Sequence, residues 1–289
     1  MSTNGPIYFL NAGSAESEQG RLNRQHYLFD DIMQNDLLPP HIASSLAASP
    51  TPPKIAEIAT GTGIWLSEIA KTLSPDAELV GLDFDTSKFP SSLASNITLR
   101  QANMLEPFPS DLIGKFDVVN VRCIIFALKE GHGIDLVRNL MTLLKPGGYI
   151  AWAETGPLLT SLEPPSLAWF KFQDVNFQFA KKVGRDMNLP IGMQYYLKQA
   201  GCVDCDDKAY PSSAQLYTDK KKDWTARMNL QIRTLAAQTL TGIVHLGGVE
   251  GMATDEEAAE LIALCQKDFV DYKVHMVFNR AWGRKPEVL

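Results

Sequence analysis

The stretch from Ile55 to Ala70, IAEIATGTGIWLSEIA, constrains the fold of this 289-residue chain more than any other. A short apolar run precedes Gly61 and Gly63, and apolar residues then recur at helical spacing from Ile64. This order predicts a strand, a tight turn and a helix. Glycine is favoured in such a turn because the backbone bends sharply, and the missing Cβ lets a ligand lie against the amides at the start of the helix.

Further strands are predicted along the chain by apolar runs that alternate with helical segments. They lie within residues 77–85, 96–109, 115–128 and 144–154, and the one within 96–109 is expected to end near Asn103. Strands that are almost continuously apolar and separated by helices predict a parallel sheet that is covered on both faces. The late segment DYKVHMVFNRAWGRKP alternates like a strand and is expected to end this sheet, antiparallel to its neighbour.

Several polar residues follow the predicted strands, where open α/β sheets bind their ligands. Asp83 comes about 20 residues after the glycines, the place at which an acid meets ribose hydroxyls. Asn103 and Met104 suit the edge and the face of a purine, and Arg122 could bind a carboxylate or form a surface ion pair. NAD fits less well, because its fingerprint requires a small residue where Leu66 stands.

Together these segments resemble the class I S-adenosylmethionine-dependent methyltransferases over roughly residues 55–155. EIATGTG, from Glu57 to Gly63, resembles the first motif of that family, with Ala59 in place of its first glycine. Asp83 matches the ribose-binding acid, Asn103 takes the slot of an adenine-contacting aspartate, and FDVV and LKPGG match the fourth and fifth strands. ExxRLNRQHYLF near the N-terminus, the GTGIW turn and WGRKP resemble a narrower branch, the fungal secondary-metabolism methyltransferases, which includes regulator-like proteins with a TAM domain.

The resemblance implies a Rossmann-like fold with a mostly parallel seven-stranded sheet, helices on both faces and a helical cap. Residues 1–52 would cover the cofactor site, residues 53–156 would form the cofactor-binding core, and residues 157–289 would supply the cap and the antiparallel strands that complete the sheet. S-adenosylmethionine would be the cofactor and S-adenosylhomocysteine its product. The residues expected to bind the cofactor are Glu57, Ala59, Gly61, Gly63, Asp83, Phe84, Asn103, Met104 and Arg122.

The implied reaction is methyl transfer to oxygen, nitrogen or sulfur of a small-molecule natural product. The protein would chiefly align the nucleophile and exclude water, and a base would help with some acceptors. Candidate bases are His26, His245 and Glu154, although Glu154 could equally cap a helix or pair with an arginine. Apolar side chains of the N-terminal helix and the inserts could line an acceptor pocket or simply form core: Tyr27, Trp169, Phe172, Phe177, Trp224 and Met228.

The composition of the chain bears on its partners, its location and its cysteine chemistry. A net charge of -6 disfavours nucleic-acid binding, and the absence of a signal-like start or a long apolar segment predicts a cytoplasmic protein without a membrane partner. Cys202 and Cys205 should face opposite sides of a strand, which argues against metal or redox chemistry. A regulatory protein, a cofactor-assisted pericyclase and a homodimer stay open, as does the identity of the acceptor.

Overall fold

The computed structural model describes residue 10 and residues 15–216, 221–270 and 272–287 of the chain. Eight strands form its sheet: β1 Lys54–Ile58, β2 Glu78–Asp83, β3 Ile97–Gln101, β4 Phe116–Arg122, β5 Leu144–Glu154, β6 Thr160–Glu163, β7 Val203–Pro211 and β8 Lys273–Arg284. The α-helices of the described residues are α1 Ala15–Ile32, α2 Pro40–Ala47, α3 Ile64–Ala70, α4 Gly133–Leu143, α5 Leu167–Val183, α6 Leu189–Ala200, α7 Ser213–Leu216, α8 Lys221–His245 and α9 Asp255–Asp268.

The sheet is parallel from β3 through β2, β1 and β4 to β5, as the apolar strands predicted. Beyond β5 lies β8, antiparallel to it, and β7 pairs with the other edge of β8. The mostly parallel Rossmann-like fold is therefore confirmed, whereas the expectation that the last segment ends the sheet is wrong. Because β8 pairs along both of its edges, β7 takes the edge position. The short β6 adds an eighth strand through residues Thr160 to Glu163, paired with the first part of β8.

Three apolar clusters show how the layers pack. One lies under α2 and α3 on one face of the sheet, and a second lies under α4 and α6 on the other, so helices cover both faces. The third cluster lies within the cap, which is formed by α5, α8 and α9, and joins these helices to α1 and β8; Phe179 and Phe278, both fully buried, belong to it. The cap therefore has a hydrophobic core of its own.

Helix α1 is joined by hydrogen bonds from three positions along its length to the turn after β1, to α3 and to the segment after β2. Gln19 Nε2 donates to the Lys88 carbonyl at 3.1 Å, and Asn23 Oδ1 accepts from Thr62 Oγ1 at 2.6 Å. Tyr27 donates its hydroxyl to a carboxylate oxygen of α3 at 2.9 Å. Helix α1 thus lies between the cap and the turn that follows β1.

The cysteine pair departs from the sequence prediction. Cys202 and Cys205 were expected on opposite sides of a strand, but both pack against the cluster under α4 and α6. The register of β7 shifts between Val203 and Asp206, and Asp204 has a φ of 51°, so the alternation is interrupted there. Both thiols are free, and the described residues contain no group of three or more His, Cys, Asp or Glu suited to a metal ion.

Within the same described ranges, no helix combines the length and the apolar character that crossing a bilayer requires.

Candidate functional site

A cavity of about 220 Å³ opens at the carboxyl ends of the parallel strands, between the sheet and the cap. Eight of the nine residues predicted to bind a cofactor lie in its wall: Glu57, Ala59, Gly61, Asp83, Phe84, Asn103, Met104 and Arg122. The ninth, Gly63, begins α3 with a φ of 70°, and a Cβ on it would lie 3.4 Å from Leu99 rather than in the cavity. Gly63 therefore shapes the turn without lining the site.

The turn after β1 winds through three left-handed residues. Ala59, Gly61 and Gly63 have φ angles of 55°, 58° and 70°. Glycine adopts this region freely, whereas an alanine there costs roughly 1 kcal/mol. Close packing of α3 on the sheet is made possible by Gly81 of β2, where an added Cβ would come within 2.9 Å of Leu66. A small residue on the neighbouring strand thus replaces the third glycine of a dinucleotide fingerprint.

Asp83 holds this turn through its carboxylate. Its Oδ2 accepts from the Gly61 amide at 2.7 Å, and its Oδ1 accepts from the Asp85 amide at 2.9 Å. Lys88 Nζ lies 3.6 Å from Oδ1, and this lysine is 5% exposed. A carboxylate offers about four lone-pair sites, so Asp83 can still accept hydrogen bonds from a ligand. Lys88 carried no signal in the sequence, because a lone lysine after a strand is usually solvated.

Arg122, Glu57 and His26 form a buried polar group beside the turn. Arg122 Nη2 lies 3.3 Å from Glu57 Oε1, and Nη1 lies 3.2 Å from His26 Nδ1. Burial raises the pKa of Glu57 to about 7 against the opposing effect of Arg122. Burial, and then the positive charge of Arg122, lower the pKa of His26 to about 3. His26 is therefore neutral.

The hydrogen bond from Arg122 also fixes the tautomer of His26. A guanidinium can only donate, so His26 Nδ1 accepts and its proton lies on Nε2. His26 Nε2 and Arg122 Nε are both buried without a hydrogen-bond partner among the described residues. This part of the wall thus presents two unpaired N–H donors, a favourable setting for a carboxylate.

The third strand contributes a different surface. Asn103 Oδ1 accepts from the Leu105 amide at 3.1 Å, and its Nδ2 donates to Glu106 at 3.2 Å. Met104 is buried, and Phe84, at the end of β2, is 50% exposed. An amide edge and two apolar side chains in the same wall suit a planar base.

The chain is similar to known proteins over most of its length. No protein-family model matches the chain. N-methyltransferase verN of Clonostachys rogersoniana is 30% identical over 241 residues, which cover 81% of this chain and 79% of that protein. The chain belongs to the S-adenosylmethionine-dependent methyltransferases of fungal secondary metabolism. The resemblance read from the sequence is confirmed, and S-adenosylmethionine is the cofactor of this family.

Other relatives match shorter stretches of the methyltransferase. Methyltransferase grgD of a Penicillium species is 39% identical over 155 residues, 51% of this chain and 52% of that protein, so the match spans about half of its length. The secondary metabolism regulator LAE1 of Hypocrea atroviridis is 28% identical over 102 residues, 35% of this chain and 29% of that protein. Among solved structures, phosphoethanolamine N-methyltransferase 2 of Haemonchus contortus has a TM-score of 0.48 at 15% identity, covering 90% of this chain and 56% of that chain.

The candidate bases of the methyltransferase lie in three different settings. His26 lines the cavity, whereas Glu154 and His245 are not in its wall. Glu154 accepts from the Ile124 amide at 2.6 Å and from Trp152 Nε1 at 3.1 Å, and burial raises its pKa to about 8. It supports the backbone around Ile124, which does line the cavity. His245 is exposed at the end of α8.

Of the six residues proposed for the acceptor pocket, three lie in the cavity wall and three do not. Trp169, Phe172 and Met228 lie in the wall, from α5 and α8. The others pack elsewhere: Tyr27 is 45% exposed on α1, Trp224 is buried in the cap cluster, and Phe177 lies on α5 outside the wall.

Five polar residues on the cap side of the wall were not predicted from the sequence as site residues: Arg21, Gln25, Gln173, Asn176 and Gln231. Their spacing carried a signal, since each polar position lies on the same helical face as apolar neighbours. On α5, Gln173 is four positions after Trp169 and Asn176 is four positions after Phe172, and on α8 Gln231 is three positions after Met228. A polar residue within an apolar helical face indicates either a buried network or a ligand.

Proposed function

We propose that this methyltransferase transfers a methyl group to a nitrogen atom of a small-molecule natural product. The observation that carries the proposal is one cavity with a nucleotide-type wall at the sheet and a wall of apolar and amide side chains at the cap. The name of verN, an N-methyltransferase matched over most of both chains, supports nitrogen as the first atom to test. Oxygen and sulfur are the alternatives.

The residues of the sheet side fit S-adenosylmethionine. Asp83 has lone pairs left for ribose hydroxyls, Asn103 and Met104 suit the edge and face of adenine, and Phe84 offers a second apolar face. The unpaired donors of Arg122 and His26 would hold the carboxylate of the methionyl group. When bound, the cofactor supplies a methyl group already activated on a sulfonium.

The chain's own contribution is then alignment and the exclusion of water. Three ionisable residues beside Arg122 are poor bases: His26 donates from Nε2, Glu57 accepts from Thr60 and Arg122, and burial raises the pKa of Cys123 to about 12. A neutral nitrogen attacks through its lone pair before it loses a proton, so it needs no base for the transfer step. This favours nitrogen over an alcohol.

Calorimetric titration of the purified protein with S-adenosylmethionine, S-adenosylhomocysteine and NAD tests the cofactor assignment. Saturable binding of both adenosyl compounds, without binding of NAD, is expected. Product mass spectrometry on an acceptor library then identifies the methylated atom. Tight binding of NAD, or no binding of either adenosyl compound, would refute the assignment of the cavity, and methylation of oxygen or sulfur alone would refute nitrogen.

The match to LAE1 favours one second candidate, a regulatory protein that keeps the cofactor pocket. Such a protein would bind S-adenosylhomocysteine but methylate no member of the acceptor library. A stable complex isolated from native extracts would then support it. The cytoplasmic location, the homodimer and the cofactor-assisted pericyclase likewise stay predictions, the last tested by product analysis with S-adenosylhomocysteine in place of the methyl donor.

A further inference from the structure

We propose that Gln173 and Gln231 recognise an uncharged acceptor through hydrogen bonds that its own N–H or O–H groups donate. This inference rests on the proposed function and names the class of molecule that enters the cap side of the cavity. Both glutamines lie in the cavity wall, 9% and 4% exposed, on α5 and α8. The amide oxygen of each is buried and accepts no hydrogen bond from any described residue.

The orientation of the Gln231 amide follows from its neighbours. Arg21 Nη1 donates to Gln25 Oε1 at 2.7 Å, and because a guanidinium cannot accept, this atom of Gln25 must be the oxygen. The Gln231 group that lies 3.1 Å from the same oxygen must then be its NH₂. The carbonyl oxygen of Gln231 is thus left as an acceptor without a donor.

Gln173 is fixed in the same way by a simpler contact. Its Nε2 donates to the Pro157 carbonyl at 3.3 Å, and a carbonyl can only accept. Its Oε1 is therefore the free end of the amide. A buried acceptor without a donor costs free energy, and a ligand that donates to it recovers this cost on binding.

The surrounding wall argues for an acceptor without a formal charge. Trp169, Phe172 and Met228 supply apolar surface next to the two amides. Arg21 is the charged residue contributed by this part of α1, and Glu18 neutralises it with two hydrogen bonds of 2.8 and 2.7 Å. A charged acceptor would be desolvated here at a high cost, whereas a neutral ring with N–H or O–H groups matches the wall.

Matched ligand pairs provide the test. The pairs are indole and 1-methylindole, 2-quinolone and 1-methyl-2-quinolone, and acetanilide and N-methylacetanilide, titrated by saturation-transfer NMR into protein saturated with S-adenosylhomocysteine. We expect the N–H member of at least one pair to bind about fivefold tighter than its methylated partner. The Gln173→Met and Gln231→Met variants should bring this ratio close to one.

Gln238→Met is the matched control. Gln238 also lies on α8, donates to Glu18 Oε2 at 3.0 Å and has an unpaired amide oxygen, but it does not line the cavity. This variant should keep the wild-type ratio. Thermal melts of all three variants check that each one folds.

Three results would overturn the inference. The first is the absence of any preference for N–H ligands in the wild-type protein, including the absence of any binding. The second is a preference that survives in both cavity variants. The third is a loss of S-adenosylhomocysteine affinity in Gln231→Met, which would assign the amide to the cofactor. Failure of the cofactor assignment is recognised separately, because the wild-type protein would then not bind S-adenosylhomocysteine. In that case the same ligand pairs, titrated into the protein without S-adenosylhomocysteine, still test the two amides.

Discussion

The sheet side and the cap side of the cavity are built from different kinds of contact. At the sheet, Asp83 binds the backbone amide of Gly61, 22 positions away in the chain. At the cap, Gln231 meets Gln25 side chain to side chain across 206 positions. Backbone amides persist whatever the side chains are, so the sheet side suits a ligand that does not change. The contact at the cap, by contrast, can be altered by a single substitution at either glutamine.

The largest expected effect is on the sheet side, in Asp83→Ala. The carboxylate holds the turn and would bind the ribose, so its loss should weaken S-adenosylhomocysteine binding more than about 1000-fold, about 4 kcal/mol. Asp117→Ala is the control, because Asp117 also binds a backbone amide, that of Lys54 at 2.7 Å, and a lysine, Lys145 at 2.6 Å, away from the cavity. Calorimetry should show wild-type affinity for the control. A loss below tenfold in Asp83→Ala would contradict the assignment.

A pair of phenylalanines separates the two regions by stability. Phe116 belongs to the cluster under α4 and α6 and Phe179 to the cap cluster, and both are fully buried. Replacing either with alanine should lower the free energy of unfolding by about 3 to 4 kcal/mol. Hydrogen exchange should then accelerate mainly in α5, α8 and α9 for Phe179→Ala, and across the sheet for Phe116→Ala. The same exchange pattern in both variants would show that cap and sheet open as one unit.

The pH dependence of stability reports the buried carboxyl behind the wall. Burial raises the pKa of Glu154 from 4.5 to about 8, so between these values the unfolded chain has lost a proton that the native state keeps. The free energy of unfolding therefore falls as pH rises through this window and levels off above it. The pKa change sets an upper limit of about 5 kcal/mol, and relaxation around the group brings the expected fall to roughly 2 kcal/mol.

Glu154→Gln should flatten this decline in urea titrations between pH 5 and 8. Glu78→Gln, at a half-exposed ion pair with Lys54, serves as the control and should leave the slope unchanged. Glu57, whose pKa burial raises to about 7, contributes a decline of the same sign that remains in both variants. An unchanged slope in Glu154→Gln would mean that the carboxyl is ionised throughout.

The smallest effect is expected at Ala59. Glycine removes the cost of its left-handed φ of 55° but adds freedom to the unfolded chain, so Ala59→Gly should stabilise the protein by about 0.5 kcal/mol. Ala56→Gly, in the buried interior of β1, should destabilise it instead. Denaturant midpoints measure both. Destabilisation by Ala59→Gly would show that its methyl group is needed for packing.

The core was predictable from the sequence because its signals are local. The apolar strands, the glycine turn and Asp83 at the end of β2 lie within one short segment, and the periodicity of each element is visible in it. The position of β8 within the sheet could not be predicted, because a strand with alternating polar and apolar residues has the same sequence pattern at the edge of a sheet and one strand inside it. Gly81 was also missed, since its value lies in the contact with Leu66 rather than in its own neighbours along the chain.

The cap resisted prediction because its contacts are distant in sequence. Trp224 and Trp169 have the same chemistry, but Trp224 is buried in the cap cluster and Trp169 lines the cavity. Only the packing of α8 against α1 and α5 decides between these outcomes. The two glutamines of the wall likewise gain a role only when their helices meet.

The hydrogen bond between Gln238 and Glu18 joins positions 220 residues apart, and this has a consequence for biosynthesis. While the chain is being made, β1 to β5 emerge together and can pair at once, and α1 can dock on the turn after β1 and on α3, but its contacts with the cap wait until α8 appears. The sheet also waits for β8, which separates β5 from β7. Helix α1 therefore gains its full set of contacts only after α8 has emerged, and the cavity stays open on its cap side until then.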